Sequence, residues 1–275
     1  MDSLATAALV RDTFREAFAR KIFWGLFGFS TLMILFFLFI MKIDVVEGTL
    51  ATISLFGNES QAQDVQRLVR SAHSGIATYL YSIGLFLSVF ASAGLIPTMF
   101  EPGRIELLPS KPVSRAHLLL GRYAGSLLVV AANMTYLVVA VWIIFGAKTN
   151  VWSHQFLYST VLTIFVFAVL LTVVVFVAVV WESSVLATIA TFAVMMIGML
   201  VAQRHLLERL LTSEWARDIV RVLYHVLPKT WDLGNLVRQL VLGQPVQTWT
   251  PVWSSALFGA VVLAAGVYAF TKRNY

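Results

Sequence analysis

Five charged side chains of alternating sign, Glu101, Arg104, Glu106, Lys111 and Arg115, crowd into a short stretch between two long apolar runs. Residues of this kind make ion pairs and hydrogen bonds with another macromolecule. A patch built only to hold lipid headgroups would be mostly basic. Pro102, Pro109 and Pro112 cut the stretch into short stiff pieces, because each ring fixes φ and restricts the residue before it. Ser114 is placed to cap a helix that enters the next apolar run. A rigid mixed-charge element of this sort suits the docking of a soluble partner, and an ordinary solvated loop is the plainer alternative.

Other chemistries lack their residues. The chain has no cysteine, which removes disulfides, thiolate metal sites and thiol nucleophiles. His73, His117, His154, His205 and His225 lack the paired spacing of a metal site and read as surface or interfacial residues. There is no G-x-x-x-x-G-K-[ST] loop to cradle phosphates, so the chain does not hydrolyse ATP alone. No Asp, Glu, Lys, Arg or His stands near the centre of an apolar run, where an ion-coupled transporter needs one. The polar residues there are small: Ser88, Ser92, Asn133, Thr135, Thr163, Thr172, Thr188 and Thr191. They read as helix-packing contacts before they read as a substrate site, and Gly25, Gly28, Gly84 and Gly94 likewise as close-packing positions. Any pumping must therefore draw its energy from outside the membrane.

The elements that must position these residues are membrane helices. Of 275 residues 59% are hydrophobic and 12% charged, half the charge of a soluble domain. The formal charge of +6 is spread along the chain, with no stripe for nucleic acid. Six stretches have the length of about 20 residues needed to cross a bilayer: 22–41, 76–98, 119–145, 154–181, 183–202 and 252–271. The fold class expected is all-α and integral to the membrane. The first run lacks a small-residue cleavage site and reads as a retained span. Glu182 sits in the tight turn between spans four and five, as a second partner contact or a plain turn residue. Half of the 20 basic residues, packed close to span ends, lie on the side of the two termini, which puts both termini in the cytosol.

Three flanking segments are amphipathic or mixed. Residues 2–21 form an N-terminal interfacial helix with Asp2 or Ser3 as cap, Phe14, Phe18 and Ile22 on one face, and Arg11 and Arg15 on another; a simple basic anchor is the alternative. Residues 42–75 read as a mixed loop ending in a short helix. Between spans five and six, residues 203–251 carry apolar positions at helical spacing from Leu206 to Val226, a stop at Pro228, and a second helix from Thr230 or Asp232 to Leu242. These external helices are expected on the outer membrane surface or against a second copy, with Trp231, Trp249 and Trp253 at the interface.

The 101–115 stretch resembles the loop between the second and third spans of ABC-2 type transporter permeases, of the kind grouped with multi-copper enzyme maturation permeases. The matching residues are Glu101, Gly103, Ile105, Glu106, Leu107, Leu108, Ser110, Lys111, Pro112, Val113, Ser114 and Arg115, followed by Gly121 and Gly125. Pro102, Arg104 and Pro109 depart from the family's pattern. The resemblance implies one permease domain over 1–275, with a coupling loop at 99–118 that docks an ATPase. Contacts would come from Glu101, Gly103, Arg104, Glu106, Leu108, Ser110, Lys111, Pro112, Ser114 and Arg115, with Arg11, Arg15 and Glu182 as secondary ones. It implies two ATPase copies carrying ATP and Mg, no cofactor in this chain, a second copy of the chain, and a bacterial-type inner membrane. The translocation route would run between copies along spans two and five, where Met195, Met196 and Met199 lie. A membrane scaffold that recruits a soluble partner without transport accounts for the same loop, and a lipid-acting enzyme lacks a catalytic constellation.

Overall fold

A computed structural model describes residues 15, 18–19, 21–46, 50–55, 58–59, 63–94, 114–211 and 213–272. Among the described residues six helices are long and apolar enough to cross a membrane, and each overlaps one of the six apolar stretches of the sequence. Helix α1 (Lys21–Leu35) runs on as a π-helical segment, Phe36–Ile40. Helix α2 (Val65–Ala93) carries a second π segment at Leu80–Gly84. Then follow α3 (Arg115–Thr149), α4 (His154–Trp181) and α5 (Ser184–Ala202). Three shorter helices, α6 (Arg204–Leu210), α7 (Glu214–Val226) and α8 (Thr230–Leu242), precede the last span, α9 (Thr250–Lys272).

Helix α4 is the hub. It is the most apolar span, with a mean hydropathy of 3.1, and most of it is buried within the protein. A helix apolar on all sides has no face to turn to water, so its neighbours surround it. Helices α3, α5, α8 and α9 all pack on it. Helix α9 comes closest through Gly259 and Gly266: a Cβ built on either would stand 3.5 Å from α4, at Val169 and at the Phe176 backbone. Small residues at such points let two helices approach without a hydrophobic driving force between them.

The segment before α2 differs from the mixed loop the sequence suggests. Strands β1 (Lys42–Val46) and β2 (Leu50–Leu55) form an antiparallel hairpin in the register Lys42↔Ser54 to Val46↔Leu50. The short strands β3 (Asn58–Glu59) and β4 (Gln63–Asp64) pair antiparallel with opposite ends of β2. The helix expected to follow is not separate from the second span. Asp64 caps it, accepting from Arg67 N at 3.0 Å, and it continues as one rod to Ala93. At 29 and 35 residues, α2 and α3 are about 43 and 52 Å long, well beyond the ~30 Å of a hydrocarbon core.

The external segment also corrects the sequence reading in part. Helix α7 leaves Trp215, Ile219, Val222 and Val226 exposed on one stripe, as expected for a surface helix. Helix α8 instead buries Leu233, Leu236, Val237 and Val241 against α4 and α2 of its own chain.

Candidate functional site

On the face shared by the termini, the chain ends of α2 and α3 lead into the mixed-charge stretch. Ser114 does cap α3, its Oγ accepting from His117 N at 3.3 Å. Arg115 and the neighbouring His117 are exposed there. Arg15 is helical and exposed. Glu101, Gly103, Arg104, Glu106, Leu108, Ser110, Lys111 and Pro112 lie outside the described residues, as do Arg11 and most of the expected N-terminal helix. Glu182 ends α4 in the left-handed region, φ 52°, its N–H bonding to Ala178 O at 2.9 Å. Glycine or asparagine fits that conformation with less strain. Ser183 Oγ then accepts from Leu186 N and starts α5, so the turn is closed with two residues.

The same rods are fastened away from that stretch, α3 at its opposite end and α2 near its middle. Lys148, in the last turn of α3, donates from Nζ to Phe37 O, Leu38 O and Met41 O at 2.9, 2.9 and 2.6 Å. Those carbonyls lie at the end of the π segment, where Met41 turns to extended backbone, so one ammonium caps the end of another helix. Tyr81 in the π segment of α2 donates to Thr230 O at the start of α8. Gly234 leaves room for that ring, since a Cβ there would stand 2.8 Å from Tyr81 Cε1. Gly198 of α5 similarly admits Pro228 O and Thr230 Oγ1, 3.1 and 3.2 Å from where its Cβ would be. Lys229 N donates to Ser255 Oγ of α9 at 3.0 Å. The junction between α7 and α8 therefore touches three spans at once.

Beside it, Tyr224 lies between two cations, Arg204 at 4.0 Å and Lys229 at 4.7 Å from its ring centre, and donates from its hydroxyl to Asp232 Oδ2 at 2.9 Å. Burial first, and then the bond to Asp232, raise the phenol's pKa above its ordinary value. Burial lowers that of Lys229.

Within the membrane most small polar residues are satisfied inside their own helices. Ser88, Ser92, Thr163, Thr188 and Thr191 donate to the carbonyl one turn back, and Thr172 to Val169 O. Asn133 differs. Its Nδ2 reaches across to Ser30 Oγ of α1 at 3.0 Å, and both side chains are buried. With Ser88 and Tyr79 they line a cavity of about 330 Å3 between α1, α2 and α3, whose other walls are apolar side chains such as Phe29, Met33 and Leu87. On the outer surface of the bundle Phe86 of α2 stacks on Phe192 of α5 at 4.2 Å, and Phe90, Ile189 and Met196 extend an exposed apolar face. Met199 shares that exposure and Met195 is half-buried.

Two expectations are corrected by packing. Gly25 and Gly28 have nothing within 4 Å of a built Cβ, so the close approaches fall instead at Gly146, Gly198, Gly234, Gly259 and Gly266. His73 is neither superficial nor interfacial: it is wholly buried, stacked on Phe156 at 4.3 Å and beside Phe145 at 4.8 Å. Because α2 begins at Val65, His73 shares the inward face of Val69 and Ala77 at four-residue spacing. That spacing was the available signal. The Lys148 clamp and the Ser30–Asn133 pair join residues more than a hundred apart and carry no local signature.

A family model described as ABC-2 family transporter protein matches residues 7–275. No curated protein matches the chain.

Proposed function

The chain belongs to the ABC-2 transporter family, a multi-pass membrane permease of that kind, and from that premise we propose that it is the membrane subunit of an ATP-driven exporter. Two copies pair along α2 and α5, and a separate ATPase, present twice and carrying ATP and Mg, docks on residues 101–115. Arg11, Arg15 and Glu182 provide secondary contacts. The protein lies in a bacterial-type inner membrane with both termini in the cytosol.

One observation carries the reading. The mixed-charge stretch is strung between two long rods, α3 fastened at its far end to the end of α1 through Lys148 and α2 fastened near its middle to α8 through Tyr81. A displacement of the docking stretch would thus be delivered to α1 and α8 without bending either rod. ATP closing the partner subunits supplies the push, and the exposed Phe86, Phe90, Ile189 and Met196 face is where the copies would meet around cargo. The absence of charge near the span centres fits an apolar or amphipathic cargo.

The test is a mild-detergent pull-down of the tagged full chain, assayed for ATPase activity. An ATPase should co-purify and be lost when Glu101→Lys and Arg115→Glu are combined, with membrane insertion unchanged. Recovery of the chain with no ATPase, or retention of the ATPase by the double variant, would sink the coupling scheme. The first result would favour a scaffold.

A further inference from the structure

The junction between α7 and α8 is fixed at the boundary between lipid headgroups and lipid chains. Pro228 O and Thr230 Oγ1 meet α5 at Gly198, four residues short of its end at Ala202, or about 6 Å along the axis. Lys229 N bonds Ser255 Oγ, five residues past the start of α9 at Thr250, or about 8 Å. Two spans thus give one depth. Helix α5 has 19 residues and a length of about 29 Å, close to the ~30 Å of a hydrocarbon core. Its end at Ala202 therefore marks the edge of the core on the face opposite the termini, with Arg204 just beyond it and the Lys229 backbone just within. Exposed Trp249 and Trp253 at the start of α9 agree with that level.

Two cations meet there without an anion to share. The Arg204 guanidinium and the Lys229 ammonium both lie against the Tyr224 ring. Among the described residues neither cation makes a hydrogen bond or an ion pair from its charged end. The neighbouring carboxylates are engaged elsewhere. Asp232 Oδ2 accepts from the Tyr224 hydroxyl at 2.9 Å, and Glu208 and Asp218 bond Arg221. Contact with a ring face attracts a cation but leaves its N–H donors unspent, five on a guanidinium and three on an ammonium. Burial first lowers the ammonium's pKa; Asp232 opposes that shift and Arg204 adds to it, so the two cations are close enough to repel. Only 7% of Lys229 is exposed, yet its Nζ is not among the sealed polar atoms, and Arg204 is half-buried. Both donors can therefore be reached from outside.

A phosphodiester answers each of these terms. Two positive charges beside the single carboxylate of Asp232 leave one in excess, and a phosphodiester carries one negative charge. Its two unesterified oxygens accept from a guanidinium and an ammonium at once, the pairing for which arginine and lysine are suited. A cation buried as Lys229 is costs free energy unless an anion offsets it. At the edge of the hydrocarbon core, the phosphate of a lipid headgroup is the anion that the bilayer itself supplies.

We infer that Arg204 and Lys229 hold the phosphate group of a phospholipid in the leaflet remote from the termini. Tyr224 positions both cations, and by engaging Asp232 it keeps that carboxylate from closing on Lys229. The site lies within one chain and does not depend on an ATPase partner.

The test titrates the full chain, delipidated in mild detergent, and reads bound lipid by native mass spectrometry. Three probes separate the possible sources: dioleoyl phosphatidylglycerol, diolein with the same chains and no phosphate, and glycerophosphoglycerol with the phosphate and no chains. Phosphatidylglycerol should bind about tenfold or more tighter than either of the others. Arg204→Gln and Lys229→Met, which keeps the buried stem, should each weaken phosphatidylglycerol about tenfold and leave diolein unchanged. Arg209→Gln, an exposed cation on α6 outside the cluster, should change neither. Should Lys229→Met not fold, Tyr224→Phe serves in its place: it keeps the ring, frees Asp232 to pair with Lys229, and should weaken phosphatidylglycerol severalfold. Equal binding of phosphatidylglycerol and diolein, or a loss on Arg209→Gln as large as on Arg204→Gln, would overturn the site. Glycerophosphoglycerol binding as tightly as the lipid would overturn the membrane as its source and make the ligand a soluble phosphate ester.

Discussion

Helices α7 and α8 are neighbours of equal length, 13 residues each, and they solve opposite problems. Helix α7 has no buried residue, and its apolar stripe of Trp215, Ile219, Val222 and Val226 runs beside a charged stripe of Glu214, Asp218, Arg221 and His225. Helix α8 turns Leu233, Leu236, Val237 and Val241 into the bundle and leaves Trp231, Asn235 and Arg238 outside. Both are amphipathic, so periodicity alone does not separate them. What separates them is the partner. Gly198 and Gly234 are cut away where the start of α8 meets α5 and α2, whereas α7 packs mainly on the short α6 and on α5 and reaches α8 through the Tyr224–Asp232 bond. Amphipathicity says that a face will be covered, and small residues on a neighbouring span say by what. On this comparison α8 is part of the folded bundle, and α7 awaits an apolar medium or a second copy.

The largest expected effect breaks or upholds that division directly. Leu233→Ala should destabilise the purified chain by about 3 kcal/mol, as truncation of a fully buried Leu does. Ile219→Ala, on the exposed stripe of α7, should cost under about 0.5 kcal/mol in detergent. Thermal unfolding followed by size-exclusion fluorescence compares the two. Equal losses would mean that α7 is as much a part of the core as α8.

A smaller effect sharpens the role of the pin between α2 and α8. Tyr81→Phe keeps the ring that Gly234 accommodates and removes only the donor to Thr230 O. The loss should be about 1 kcal/mol. Hydrogen exchange should quicken in residues 230–242 and stay unchanged in 214–226. Uniform quickening across both helices would show that the two move as one body.

How far the sequence carried these conclusions depends on the range of the signal. The six spans were legible because a run of apolar residues is local, and α4, free of charge from Gln155 to Trp181, was the plainest. The Ser114 cap and the break at Pro228 were legible for the same reason. The small sheet was missed although its signal was present. Ile43, Val45, Thr52 and Ile53 are β-branched, in two short runs that pair in register. His73 reads as superficial in the sequence because the apolar run begins only at 76, whereas α2 begins at Val65. The cavity was out of reach in principle: Asn133 stood among the polar candidates, but its separation from Ser30 by 103 positions leaves no trace in either neighbourhood. The mixed-charge stretch at 101–115 lies almost wholly outside the described residues.

The smallest effect bears on what holds α7 in place. Arg221 bonds Glu208 of α6 at 3.1 Å and Asp218 of its own helix at 3.2 Å, and its side chain is 56% exposed. Ion pairs so open to solvent are worth about 0–1 kcal/mol, because water screens them and two long side chains must be ordered. If the apolar stripe and not these charges fixes α7, Arg221→Ala should cost less than about 0.5 kcal/mol, and the cost should shrink further at high salt. Thermal unfolding at low and high ionic strength reads both. A loss above about 1 kcal/mol that salt abolishes would make α7 a helix held by charge. Its uncovered stripe would then cease to argue for an apolar medium, and the contrast with α8 would rest on packing alone.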